Sequence, residues 1–386
     1  MNPKSETFHG FPRVLYRHTT FPTFSLARSQ EIMRGFVRKI YAQGQNILEM
    51  LNATVNANKG VAAQTPVVVA QVAGNYRNIG ACLAPNGKIY GVAYDGTSCV
   101  EFDPTTEKAV TFSGGGAGTT DWQGAVLGSN GKVYGVPTSV TSILEIDPTT
   151  RTTSQFGNFV GATKDIGGTR GLDGKIYCAP FTATAALLID TNSKTAQTFT
   201  MAGSGYVGSC LAPNGLIYYT PFSTTAVMVL NPDTRVSSTF GNVGGASNRC
   251  SGIFLAQDGH IYLTPRNNTT IADIDPENKT LTTFGALAAD ATKWGAACLA
   301  PNGKGYATAF NYASTLEVDP ITKTATTMSD SQAATFKWSS ATVAPNGNIY
   351  GISYTAAAGS AIIKIGFPNV ENFPMEVLTG PYMTTI

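Results

Sequence analysis

Short apolar runs of strand length recur from about residue 65 to residue 370. Each is cut by a tight polar turn ending in glycine, and a tyrosine follows three positions later. The glycines are Gly87, Gly131, Gly174, Gly215, Gly259, Gly303 and Gly347, spaced 41 to 44 residues apart; the tyrosines are Tyr90, Tyr134, Tyr177, Tyr218, Tyr262, Tyr306 and Tyr350. Within one unit, Gln123 to Leu127 reads as a first strand (A), Ser129-Asn130-Gly131 as a turn and Lys132 to Val136 as a second strand (B). Ser142 to Ile146 is the third (C) and Thr152 to Phe156 the fourth (D). Asn-Gly between β-rich runs is a strong hairpin signal, because such turns need a positive φ that glycine adopts without a Cβ clash.

A second turn follows sixteen residues after each glycine, at Asp103, Asp147, Asp190, Asn231, Asp275 and Asp319. Proline at the next position in most units fixes φ, and the preceding side chain caps the turn's own backbone. Capping, not a calcium site, is the expected role of these residues, and Glu101, Glu145 and Glu317, two positions earlier, read as exposed strand positions. Four strands per unit and a period near 44 predict an all-β chain, a seven-bladed β-propeller. The last unit lacks the Asp-Pro turn, as a ring closed by strands from both chain ends would require. Thr65 to Val72 and Met375 to Thr379 both read as outer strands, and the N-terminal one is the favoured closing piece.

Residues 1–60 follow other rules, and the propeller is assigned to 61–386. Residues 1 to 27 carry Phe8, Phe11, Arg13, Tyr16 and Arg17 without either periodicity, as an extended arm that orders against a partner would. From Ser29 to Val55, Met33, Val37, Ile40, Ile47 and Leu51 alternate spacings of four and three, a short heptad seam on an α-helix. Self-association or docking is expected of that seam; a helix packed on its own propeller is the alternative. Asn56 to Thr65 has the composition of a linker.

Charge sharpens the division. Residues 1 to 59 carry eight Lys and Arg against three Glu, while the whole chain is only +2, so the propeller is slightly acidic and offers no basic face for nucleic acid. Charged residues are 13% of the chain, which suits a neutral polar surface. No apolar run is long enough to span a bilayer, and the N-terminus lacks a signal-peptide core. Export by assembly or lysis is therefore expected if the protein works outside a cell. Six cysteines without a Cys-x-x-Cys are expected to be reduced packing residues.

Candidate chemistry emerges when the loops are aligned on the repeat glycine. Ten positions before it stand the cations Arg77, Lys164, Arg249, Lys293 and Lys337; one position later stand Trp122, Trp294 and Trp338. Seven positions after it stand Tyr94, Phe181, Phe222, Phe310 and Tyr354, with Arg266 in the fifth blade. Cations and aromatic faces around a channel mouth suit sugars that carry carboxylates or phosphates. The reading favoured on the repeat pattern alone is that the aromatics wedge blades together and the cations form a solvated ring. His9 and His18 lie in the arm and His260 in a hairpin turn, where it reads as solvent-facing. No catalytic constellation is legible, and no metal or cofactor is expected.

The recurring Leu-Ala-Pro-Asn-Gly-Lys-Ile-Tyr-Gly of residues 83–91, echoed at 211–218, 299–306 and 343–351, resembles the seven-bladed repeats of the kelch-like and streptogramin-lyase-like groups. Lyases of the second group depend on a histidine and acidic residues at a metal-binding channel mouth, and this chain has no histidine on the corresponding loops. A basic aromatic arm and short helix before a β head poor in charge look like the plan of a bacteriophage tail or virion appendage protein. That likeness implies a homo-oligomeric tail fibre, baseplate or appendage component without enzyme activity. It would dock on other virion proteins through residues 1–60 and present the propeller to host surface glycans or neighbouring subunits. A lectin-like extracellular module is the alternative, and a lyase-type propeller enzyme the third reading.

Overall fold

The structure is a computed structural model that describes residues 48–72, 77–95, 97–116, 120–158, 165–182, 184–245, 247–330, 337–354 and 361–370. The arm residues Phe8, Phe11, Arg13, Tyr16 and Arg17, the seam residues Met33, Val37, Ile40 and Ile47, Lys164 and the strand expected at Met375 to Thr379 lie outside the described residues. Seven four-stranded antiparallel sheets follow one another along the chain, each ordered A-B-C-D. A strands of neighbouring blades pack on one another around the axis. B strands are buried on both faces, as between Val133 and Pro137, because adjacent sheets stack on either side. D strands such as Thr152–Phe156 alternate between exposed and half-buried positions, which marks the rim.

The seventh sheet closes the ring as expected. Its A, B and C strands are Thr342–Val343, Ile349–Ile352 and Ala361–Ile365, and its outer strand is the N-terminal Val67–Gln71, paired antiparallel with Ala361–Ile365. Chain direction then sorts the connections. The A–B and C–D turns share one end of the ring, the turn face, and the B–C and D–A loops share the other, the loop face.

Each tyrosine of the repeat works at the turn face. Its ring is buried, and in blades 1 to 5 it meets the D-strand phenylalanine edge-on, as in Tyr90–Phe112 at 6.3 Å and Tyr134–Phe156 at 6.1 Å, contacts of about 0.5–1.5 kcal/mol beyond burial. Where no carboxylate takes its proton, the hydroxyl donates to the next blade's C–D turn, as Tyr218 to the Pro276 carbonyl and Tyr350 to that of Pro104. The turn asparagine reaches the same acceptors, as Asn214 and Asn346 do. The Asp-Pro turns cap themselves: Asp147 Oδ1 accepts N–H groups of Thr149 and Thr150 at 2.9 and 3.4 Å.

Glu101 and Glu145 are not exposed strand positions. They are 4% and 2% exposed, because the neighbouring blade covers the face on which they project. Lys88, Tyr90 and Arg151 of the next blade all donate to Glu101, and Lys132, Tyr134 and Lys194 to Glu145. Burial alone would raise these carboxyls, but the donated hydrogen bonds outweigh it and hold both below the usual glutamate range. Glu317 is half-buried and takes Lys304 and Tyr306. His260 occupies the lysine's place in the fifth blade, 2.7 Å from Asp273, so it is partnered and only partly exposed. At the junction of blades 7 and 1 the charges are exchanged: Lys364 stands opposite Tyr350, and Glu107 of blade 1 meets it at 2.6 Å.

Residues 48–58 form helix α1, which belongs to the same compact unit as the propeller. Leu51, Thr54, Val55 and Asn58 face inward at the spacing of a single helical stripe. Leu51, read as a docking residue, is 1% exposed and joins the propeller's core. Leu48 and Val55 lie against the turn glycines Gly259 and Gly303. The segment read as a linker is structural as well. The Val61 carbonyl accepts the Asn302 amide at 2.9 Å, standing in for the C–D turn that the seventh blade lacks. All six cysteines are free and buried.

Candidate ligand-binding cavity at the channel mouth

At the loop face the axis widens into a cavity of about 260 Å³ built from two rings. The upper ring holds the residues seven positions after the repeat glycine: Tyr94, Phe181, Phe222, Arg266, Phe310 and Tyr354, with Thr138 absent from the lining. The lower ring holds those eight positions before it: Ile79, Gln123, Ile166, Val207, Ser251, Gly295 and Ser339. Loop-face aromatics expected from the repeat are thus brought together. Tyr94 and Tyr354 lie 5.8 Å apart, Phe310 and Tyr354 5.5 Å, and Phe181 and Phe222 5.8 Å.

The lower ring was missed because simple alternation along strand A breaks there. Pairing of A with B shifts register between Trp122 and Ala125, between Asp165 and Gly168 and at the same place in other blades, a bulge that re-aims the side chain toward the axis. Glycine one position later is the available signal. Gly80, Gly124, Gly167 and Gly208 all have positive φ, and a Cβ on Gly124 would collide with the Gly167 backbone of the adjacent inner strand.

The cations and tryptophans that precede strand A do not line the cavity. Lys293 is fully buried and donates to the carbonyls of Asn268 and Asp290, and burial depresses its pKa. Lys337 is likewise fully buried, 2.9 Å from an equally buried Asp330. Arg249 donates through Nε to the carbonyls of Gly244 and Gly245. Instead of a solvated or ligand-facing ring, these three pin the D–A loops. The side chain of Arg77 lies outside the described residues. Trp122 and Trp294 are buried with Nε1–H donated to the Ser142 and Ser314 carbonyls, and Trp338 donates to Asp330, which makes all three wedges within the wall.

Among the described residues Arg266 is the one cation of the lining, which contains no described Asp, Glu, His, Lys or Cys. Its guanidinium carbon lies 4.4 Å from the Phe310 ring centroid and 5.4 Å from that of Phe222. Burial draws its pKa down to about 10, against a smaller opposing pull from Tyr354, and its Nε has no hydrogen-bond acceptor among the described residues. Ser251 and Ser339 spend their hydroxyls on wall carbonyls of Trp294 and Asn78. Such a site can stack a ring or apolar body and draw in negative charge. Its described residues include no paired acid and base for proton transfer. Among the described residues no three His, Cys, Asp or Glu side chains are grouped to hold a metal ion.

No family model matches the chain, and no curated protein sequence matches it. Solved structures are similar in fold. A streptogramin B lyase matches with a TM-score of 0.68 at 12% identity, covering 79% of this chain and 98% of that one. Virginiamycin B lyase from Staphylococcus aureus matches at 0.65 and 13% identity, with 78% and 98% covered. The extracellular domain of a hybrid two-component system from B. thetaiotaomicron matches at 0.61 and 12% identity, covering 81% of this chain and 43% of that one. Lyase, sensor domain and this chain share a propeller; at these identities the likeness extends to the fold alone.

Proposed function

We propose that this chain is a non-enzymatic structural protein of a virion, a tail fibre, baseplate or appendage component that docks through its N-terminal segment and presents the propeller's loop face to a host surface or neighbouring subunit. The observation that carries the reading is the opposition of two ends. Helix α1, where the described chain begins, lies on the turn face, while the aromatic cavity opens among the loops of the other face. The basic excess and aromatic residues of the N-terminal segment support a docking role in a homo-oligomeric particle. Copies lacking residues 1–47, which keep α1, are expected to unfold at the same temperature as the full chain and to stop co-sedimenting with particles. Undiminished incorporation of the truncated protein would overturn the docking role.

A lectin-like extracellular module is the second reading, favoured by the five aromatic rings around the cavity. It predicts saturable sugar binding by the propeller with no role for residues 1–47. The lyase folds suggest an enzyme. Against that stands the placement of His260 on the turn face, paired with Asp273 and away from the cavity.

A further inference from the structure

Every other buried or half-buried cation discussed above has its charge answered inside the protein. Lys337 has Asp330, Lys293 two carbonyls, Arg249 two carbonyls, and Lys88 and Arg151 share Glu101. Arg266 alone among these has aromatic faces and no carboxylate or carbonyl acceptor for its side chain among the described residues. Rings above and below a guanidinium attract its charge but leave its in-plane N–H donors unmet. An unpaired, partly desolvated charge is unfavourable, and an oxyanion entering the cavity would relieve it.

We infer that the cavity binds a small organic carboxylate, with Arg266 as the charge partner and Phe181, Phe222, Phe310, Tyr94 and Tyr354 as walls for its ring or apolar body. A single guanidinium matches a carboxylate fork to fork, whereas a phosphate dianion would call for further cations, of which the described lining residues hold none. The volume, at the low end for ligand pockets, admits one sugar ring or one aromatic acid. Ile79, Ile166 and Val207 add apolar surface to the floor, while Gln123, between Ile79 and Ile166, offers an amide to a hydroxyl. The inference deepens the reading of the loop face as a recognition surface and rests on that face being free of other subunits. A uronic acid of a surface glycan and a free aromatic acid share this chemistry.

The test is titration of the full chain at constant ionic strength with glucuronate, benzoate, inorganic phosphate and glucose, followed by calorimetry and thermal shift. Glucuronate or benzoate is expected to saturate, with phosphate and glucose weaker. Arg266→Gln is expected to lose about 10- to 100-fold in affinity, the range for a charge-assisted hydrogen bond, and Arg266→Lys to recover only part of it. Should Arg266→Gln not fold, the intrinsic fluorescence of the wild type serves instead, and the carboxylates are expected to perturb Tyr94 and Tyr354 saturably where glucose does not. Absence of carboxylate-selective binding in the wild type, or equal binding by folded Arg266→Gln, would overturn the inference. Carboxylate binding by a protein that never enters particles would leave the cavity assignment standing and sink the virion role.

Discussion

Replacing Asp165 by asparagine should change how stability depends on pH. Asp165 begins strand A of the third blade, in the slot that holds Trp122, Trp294 and Trp338 elsewhere, and is 1% exposed. One carboxylate oxygen accepts the Leu187 N–H at 3.2 Å, and the other has no hydrogen-bond partner among the described residues. Burial drives its pKa up to about 8, and its carboxylate disfavours charge on the nearby buried Cys178 and Tyr219. In the unfolded chain an aspartate titrates near 4. Between those values the folded protein holds a proton that the unfolded chain has released, so stability is full below about pH 4 and falls as pH rises toward 8. The slope is about 1.4 kcal/mol per pH unit, hence about 2.7 kcal/mol between pH 5 and pH 7. Asparagine cannot ionise and removes this term, whatever its own packing costs. Urea unfolding of both proteins at pH 5, 6, 7 and 8 reads the difference in slope. Stability in Asp165→Asn should gain on the wild type by about 2.7 kcal/mol between pH 5 and pH 7, with the gain levelling off near pH 8; parallel profiles would refute an uncharged, buried Asp165.

Removing one member of the buried Lys337–Asp330 pair, as in Lys337→Met, is expected to cost about 3–5 kcal/mol in denaturant unfolding, because Asp330 keeps a charge inside the wall. Leu51→Ala is expected to cost about 2–5 kcal/mol by the same assay, since the side chain belongs to the propeller core; a change near zero would mean that α1 is not docked. At the closing junction, Glu107→Lys is expected to destabilise modestly and Glu107→Lys with Lys364→Glu to restore stability. A double-mutant cycle should give a coupling of about 0.5–1 kcal/mol, the scale of a partly exposed pair.

Blade number, strand order and ring closure were legible because each is written locally. Gly87 and its six counterparts must turn the chain with positive φ, and Val67–Gln71 has the composition of an outer strand without a C strand before it. What was not legible depends on neighbours distant in sequence. Glu101 reads as exposed within its own strand, yet Arg151 of the next blade comes over it. Lys293 and Lys337 read as a ring of cations at a mouth, yet their loops fold back so that carbonyls and Asp330 enclose them. Leu51 fits a heptad seam and a propeller-facing stripe equally well, because both need the same spacing. Tyr94, Phe181, Phe222, Phe310 and Tyr354 were found at the mouth because the B–C loops keep one length relative to the glycine. The lower ring from Ile79 to Ser339 was lost to a bulge that alternation does not anticipate.

A recognition cavity at the loop face is tested most directly by cell binding. Labelled full-length protein and a folded Arg266→Gln variant should be compared for saturable binding to intact bacterial cells and to extracted acidic surface polysaccharides. Saturable binding by the wild type that is lost in Arg266→Gln is the predicted result. Equal binding by both proteins, or binding by neither, would contradict it.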